Sequence, residues 1–195
     1  IEPNRGNAKN RNIFMDTYVL SKELFLELVN KAHKTSSMYT FADIIDEECE
    51  NLDIRAVPHK GYFAAITDFK SYYDANMDLI DLKNAMNLFD DEWPVYTRTN
   101  DSCPTQYFED SKVTSSVVSN GCLIDGEIEN SIIGRGCIIK PGAVVKNCVI
   151  SADVIIGKGV HVENMMVDKH ARLIRGKRII ADPAKPGYVK RGDTL

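Results

Sequence analysis

Histidines, cysteines and clustered cations are where this chain could do chemistry, and their spacing narrows the choice. Of the four histidines, His161 and His170 fall in a stretch of repeating aliphatic residues. A histidine there could serve as general base for acyl transfer or ligate a metal between subunits. His33 and His59 read as surface or strand-end residues. Five cysteines, at 49, 103, 122, 137 and 148, are an odd set without a C-x-x-C pair. That argues against a disulfide framework and a zinc site and for reduced thiols. Cys122 and Cys137 lie in phase with aliphatic core positions, so packing accounts for them and nothing favours a nucleophile. Basic residues gather after Leu173 in RGKRII and KPGYVKRG, offering either a site for an anionic effector or a solvated terminal face.

The chain that must position these groups has 195 residues, 44% hydrophobic and 27% charged, which is enough to bury a core. A net charge of −4 leaves no broad basic field to neutralise a phosphate backbone, so nucleic acid is not expected as a partner. No apolar run approaches the roughly 18 residues of a membrane span, and the first residues lack the basic-then-apolar order of a signal peptide. No membrane is expected, and the location is read as cytoplasmic. The start at Ile1, in the polar stretch IEPNRGNAKNRN, reads as a cut from something longer.

The C-terminal half repeats. Asn130, Asn147 and Asn164 are 17 residues apart and open the blocks NSIIGRGCIIKPGAVVK, NCVISADVIIGKGVHVE and NMMVDKHARLIRGKRII, with a shorter block from Ser115 to Glu129 before them. Within each block an aliphatic residue recurs every five to six positions, through Val118, Ile133, Ile139 and Val145, then Ile150, Ile156 and Val162, then Val167 and Leu173. This is the pattern of a parallel β-helix from about Val113 to Leu173, with three short strands to a coil. One such coil cannot hide its own apolar face, so stacking is what buries the column. Four residues after the first aliphatic position stand Cys122, Cys137, Val154 and Ala171, small or β-branched and facing inward. Gly134, Gly136, Gly157 and Gly159 suit corners that require positive φ or close coil packing. The three asparagines either stack as an amide ladder or tolerate a left-handed corner.

The first ninety residues differ. IFMDTYVLS is a strand candidate. A helix from about Lys22 to His33 follows, capped by Ser21, with Leu24, Phe25, Leu28 and Val29 on one face. DIRAVPHKGYFAAI suggests two short strands punctuated by Pro58 and Gly61. Asp68 caps a helix to about Leu82, and a last helical turn covers Asn84 to Phe89. Residues 91–110, with two prolines and little periodicity, read as a linker.

Two segments organise these parts. SSVVSNGCLIDGEIENSIIGRGC resembles the start of the β-helix domain of glucose-1-phosphate adenylyltransferases. KGYFAAITDFKSYYDANMDLIDL is similar to that family's Tyr-Trp-x-Asp-Val-Gly-Thr segment and the Tyr-Trp-x-Ala-Asn-x-Asp-Leu helix after it. MDTYVLSKELFLELV, FADII and CPTQYF resemble further family segments in the same order. The resemblance implies an α/β remnant of a nucleotidyltransferase domain (1–92), a linker (93–110), and an all-β, single-stranded, left-handed parallel β-helix of hexapeptide-repeat type (111–195). The Gly-rich nucleotide loop of the family is not among these residues.

Departures from the family pattern bear on mechanism. Aligning on Ala75, Asn76, Asp78 and Leu79 puts Ala65 where catalytic relatives carry the aspartate that holds Mg2+, and alanine cannot coordinate a metal. Thr67 replaces a glycine. Phe14 takes the place of a serine that contacts the sugar phosphate, and Asp16 that of a glycine, adding a charge that would repel phosphate. The resemblance is therefore closest to the regulatory, non-catalytic type of subunit in bacterial glycogen synthesis. It implies a catalytic ADP-glucose pyrophosphorylase paralogue as partner, a homo- or hetero-oligomer, and no cofactor bound by this stretch. A catalytically active glucose-1-phosphate adenylyltransferase is the first alternative. A hexapeptide-repeat acyltransferase is the second, although its usual extended loop is missing from coils that run on at 17 residues.

Overall fold

The structure is a computed structural model that describes residues 14–35, 40–89, 94–97, 101–175 and 177–195. The polar stretch at residues 1–12, Ile13 and parts of the expected linker lie outside the described residues. Two compact units divide after His59.

The first unit holds α1 (Lys22–Lys34) and α2 (Phe41–Glu47). The Ser21 side chain accepts from the Leu24 amide at 3.2 Å, satisfying one of the orphan donors of a helix start. The short α2 is held by a capping box in which Thr40 and Asp43 bond reciprocally. Leu28 and Ile44 are buried between these helices and their surroundings. The strand expected over residues 13–21 does not form among its described residues, nor do the two expected within 53–66. A strand exists only by pairing, and neither segment has a partner strand here.

The second unit opens with α3 (Phe69–Asp78) and α4 (Leu82–Leu88). Asp68 and Ser71 form the capping box of α3. The single helix expected to run to Leu82 stops at Asp78, because Asp81 caps a new helix by accepting from Lys83 N at 2.8 Å.

The solenoid follows in five coils of three strands. The first has β1 (Gln106–Tyr107), β2 (Lys112–Thr114) and β3 (Val117–Val118), and the second β4 (Leu123–Ile124), β5 (Glu127–Glu129) and β6 (Ile132–Ile133). The third has β7 (Ile138–Ile139), β8 (Val144–Lys146) and β9 (Val149–Ile150), and the fourth β10 (Ile155–Ile156), β11 (His161–Glu163) and β12 (Met165–Val167). The last has β13 (Arg172–Leu173), β14 (Arg178–Ile180) and β15 (Gly187–Val189). Every third strand joins one of three parallel five-stranded sheets: β1-β4-β7-β10-β13, β2-β5-β8-β11-β14 and β3-β6-β9-β12-β15. The coil therefore begins inside the stretch expected as a linker, since Gln106 and Tyr107 pair with Leu123 and Ile124.

Alternation along each strand sends one side chain inward. Cys122, Ile133, Cys137, Ile139, Val145, Ile150, Val154, Ile156, Val162, Val167 and Ala171 are all buried, while Val118, in the first coil with no coil before it, is half-buried. The corners are built from left-handed residues in register. Ser115, Asn130, Asn147 and Asn164 take φ of 45°, 45°, 49° and 55° at one corner. At another, Gly121 and Gly136 are followed by Asp153 and His170, all at positive φ. Gly136 and Gly159 thus supply positive φ, whereas Gly134 and Gly157 supply space: a Cβ on Gly134 would come within 2.7 Å of Ala152 N. All three asparagines take the left-handed corner, and one step of an amide ladder forms, Asn130 Nδ2 donating to Asn147 Oδ1 at 2.7 Å, whereas Asn164 Nδ2 donates to the Ala181 carbonyl at 2.9 Å.

The second unit extends back past the expected boundary at residue 92 because α3 lies on the third sheet. Tyr73 packs on Val149 and Met166, with Met77 alongside, and its hydroxyl donates to the Asn147 carbonyl. Phe69 meets Tyr188 edge to face at 5.7 Å. Among the described residues no helix is long and apolar enough to cross a membrane.

Candidate functional site

The residues singled out by the family pattern fall into two local settings, one in each unit. In the first unit, Phe14 is 44% exposed and sits 5.2 Å from the Tyr18 ring, which is 5.0 Å from Phe41, itself 5.3 Å from Phe25. A serine in place of Phe14 would present a hydroxyl; here an aromatic edge continues a ring cluster. Asp16 has φ of 51°, a left-handed conformation that favours glycine and that aspartate tolerates. The backbone is one that suits glycine, and the side chain on it is a carboxylate. Partial burial and the Asp16 carboxyl both push the Tyr18 hydroxyl pKa up.

In the second unit, Ala65 and Thr67 lie in irregular chain just before α3, and both are exposed. The amides of Thr67 and Asp68 each donate to Ser71 Oγ at 3.0 Å. Asp68 is the carboxylate nearest to Ala65 in sequence, and it is committed to the helix: its Oδ1 accepts from Ser71 N at 2.7 Å. That backbone hydrogen bond leads the causes that hold its pKa below the ordinary carboxylate value. A methyl group at 65 and a capping carboxylate at 68 do not make a fit for Mg2+.

The histidines are dispersed. His161 projects from the outer face of the second sheet, where its Nε2 is 3.3 Å from Glu163 Oε2 without the alignment of a hydrogen bond. His170 occupies a corner, 3.5 Å from Asp153, with both side chains about half exposed. No loop interrupts the coils between β4 and β13. The three solenoid cysteines are wholly buried, and their thiols donate to carbonyls, Cys122 to Gly134 at 3.1 Å, Cys137 to Ser151 at 3.0 Å and Cys148 to Lys146 at 2.9 Å. Burial pushes the Cys148 pKa up to about 12, so it stays a thiol.

Sequence reasoning did not foresee how differently the three outer faces of the solenoid are furnished. The second sheet carries alternating charge: Lys146 is 2.7 Å from Glu129 and 3.6 Å from Glu127. The third sheet is apolar and takes α3. The first sheet shows Leu123, Ile138 and Ile155 in register, one above another. The signal for this was present in the sequence, since the residue before inward Ile124, Ile139 and Ile156 is itself aliphatic, whereas Arg172 stands before Leu173.

Comparison with known proteins agrees with this architecture. Residues 104–187 match the family described as GlmU-like, C-terminal hexapeptide. The chain is similar to the glucose-1-phosphate adenylyltransferase of Fervidobacterium nodosum, 31% identical over 90% of this chain and 42% of that protein. It is 34% identical to the enzyme of the same name from Corynebacterium jeikeium, over 65% of this chain and 32% of the relative. It is 29% identical to the glycogen biosynthesis protein GlgD of Bacillus subtilis, over 91% of this chain and 52% of that protein. The chain thus spans between about a third and a half of these relatives. Over most of its length it is a homologue of glucose-1-phosphate adenylyltransferases and of the glycogen biosynthesis protein GlgD, and it ends in a hexapeptide-type solenoid.

Proposed function

We propose that this chain belongs to a cytoplasmic protein of glycogen synthesis that acts as a regulatory-type subunit, modulating a catalytic glucose-1-phosphate adenylyltransferase paralogue rather than transferring nucleotide itself. The observation that carries the proposal is Ala65, with Asp68 already bound to the Ser71 amide. Adenylyl transfer from ATP to glucose 1-phosphate, releasing pyrophosphate, depends on positive charge placed against phosphate oxygens as they develop negative charge. A methyl group cannot hold the cation that would supply it. Asp16 works in the same direction by setting an anion in a segment that in catalytic relatives meets a sugar phosphate. The solenoid, by contrast, retains its corners and its buried column, as expected of a part kept for scaffolding and assembly.

The test is pyrophosphate release by the purified parent protein from ATP and glucose 1-phosphate with saturating Mg2+. The expected result is a rate near background that a catalytic paralogue restores. Sustained turnover by the parent alone would overturn the proposal.

A further inference from the structure

The second coil is two residues short. Gln106 pairs with Leu123, Ile138 with Ile155 and Ile155 with Arg172, each 17 residues on, but Leu123 pairs with Ile138 after 15. The loss falls at the corner between the first and second sheets, which has four residues after β1, β7 and β10 and only Asp125 and Gly126 after β4. Gly126 makes the short crossing possible, since a Cβ there would come within 2.6 Å of the Ala143 carbonyl oxygen. A notch of about 280 Å³ opens between the corners of the first and third coils, with Asp110, Lys112, Gly126, Glu127 and Gly142 among its lining residues.

Backbone groups on both walls lack the partners that other coils supply. From Gly136 on, the other left-handed corner residues donate their amides back to the preceding coil, as Asn147 does to the Glu129 carbonyl at 3.1 Å, Asp153 to Arg135 at 2.8 Å and Gly159 to Pro141 at 3.1 Å. Gly142 has φ of 69°, close to the 68° of Gly159, but the second coil has no residue in the place of Pro141. Among the described residues the Gly142 amide has no partner. Across the notch, Glu109 is the first coil's counterpart of Pro141, because Ser111 N bonds to the Phe108 carbonyl just as Ala143 N bonds to that of Lys140. Its carbonyl faces the same gap. The two walls lie two strand spacings apart, about 9–10 Å, the width left by one missing turn of chain.

We infer that the notch binds a small zwitterion, a free amino acid or dipeptide, along the line the missing corner would follow. Its ammonium donates to the Glu109 carbonyl and to the exposed carboxylate of Asp110 on the first-coil wall. Its carboxylate accepts from the Gly142 amide on the third-coil wall. Lys112 stands in register beside Glu127, is in no ion pair among the described residues, and has a flexible stem that brings its charge to the same carboxylate. Glu127 is 3.6 Å from Lys146 and adds negative charge at the floor. A metal ion would meet the positive end of the Gly142 N–H, and an inorganic anion would meet Asp110 and Glu127, so neither suits both walls. The volume lies below the usual range for drug-sized ligands, about 300–1,000 Å³, which limits the occupant to a few heavy atoms. With so few contacts in an open groove, a dissociation constant on the order of millimolar is expected. The assignment does not depend on whether the parent turns over substrate.

Titration of glycylglycine into the nitrogen-15-labelled 195-residue chain, followed at the Gly142 amide resonance, tests it. The expected result is a saturable shift at Gly142 with a dissociation constant of about 1–10 mM, while the Gly159 amide, bonded to Pro141, stays in place. N-acetylglycine, without the ammonium, and glycinamide, without the carboxylate, should each bind about tenfold more weakly. Asp110→Asn, at an exposed position, should weaken glycylglycine by about the same factor with the rest of the spectrum unchanged. Inserting Lys-Gly between Asp125 and Gly126 restores a four-residue corner, fills the notch and should abolish the response. No saturable shift up to about 100 mM, equal binding of all three probes, an affinity untouched by Asp110→Asn, or a folded insertion variant that still binds would each overturn the site.

Discussion

Asn164 offers a quantitative test of what holds a solenoid corner. It is 4% exposed, has φ of 55°, and donates from Nδ2 to the Ala181 carbonyl at 2.9 Å. Alanine there keeps the backbone position but pays the left-handed penalty, about 1–2 kcal/mol for a residue with a Cβ. It also strips the carbonyl of half-buried Ala181 of its side-chain donor, at up to about 1–3 kcal/mol. Asn164→Ala should therefore cost about 2–5 kcal/mol. Glycine removes the first penalty and keeps the second, so Asn164→Gly should be the milder change by about 1 kcal/mol. Asn164→Asp tolerates the left-handed conformation but turns a donor into an acceptor facing an acceptor, and should cost at least as much as glycine. Urea unfolding followed by far-UV circular dichroism at one fixed chain concentration measures all three. Equal losses for alanine and glycine would refute the role of φ, and a glycine variant as stable as the parent would refute the role of the amide.

Other consequences follow from the same structure. Ile139→Asp places an unpaired carboxylate in the stacked column at a cost of several kcal/mol, and the solenoid should unfold at room temperature; an unchanged melting temperature would put Ile139 outside the core. Tyr73 has its pKa raised to about 12, chiefly by burial and then by Cys148 and Asp74. Its contribution to stability is therefore fully present below pH 10 and is lost as pH rises toward 12. Absorbance at 295 nm should show one tyrosine ionising after the rest, and Tyr73→Phe should remove that late step and no other. Asp68 is shifted the opposite way, so its cap holds above the ordinary carboxylate pKa and fails as pH falls through the lowered value. Protection of the Ser71 amide, taken as its exchange rate relative to the intrinsic rate at the same pH, should fall in acid and in Asp68→Ala while protection at Ile139 is unchanged; equal Ser71 protection in the variant and the wild type would deny the cap.

Much of the fold was legible because its signals are periodic or local. The 17-residue spacing of Asn130, Asn147 and Asn164 carried the coil length, and Ser21 and Asp68 marked helix starts by the chemistry of their side chains. The misses have physical causes. Alternating apolar residues at 14–20 and 54–66 look like strands, but pairing partners decide strands and propensity alone does not. The short α2 escaped notice, although Thr40 and Asp43 form the S/T-x-x-D/E box that announces a helix. Prolines at 94 and 104 hid β1, whose two residues are too few to show periodicity and are strand only because β4 lies beside them. Of the positions singled out by the family pattern, Asp16 shows the most in three dimensions: its backbone is left-handed, the region that favours the glycine that the resemblance implies there. The outer faces of the solenoid were harder to read, because an outward aliphatic looks the same in sequence whether a helix of the same unit covers it, as at Met166, or none among the described elements does, as at Ile138.

The most direct test of the proposed role is titration of the chain's full-length parent into a catalytic glucose-1-phosphate adenylyltransferase from the same organism, with the rate of ADP-glucose formation as readout. The account predicts a change in half-saturation or maximal rate that levels off at a fixed stoichiometric ratio, against almost no synthesis by the parent alone. Rates that simply add, with substantial synthesis by the parent on its own, would contradict it.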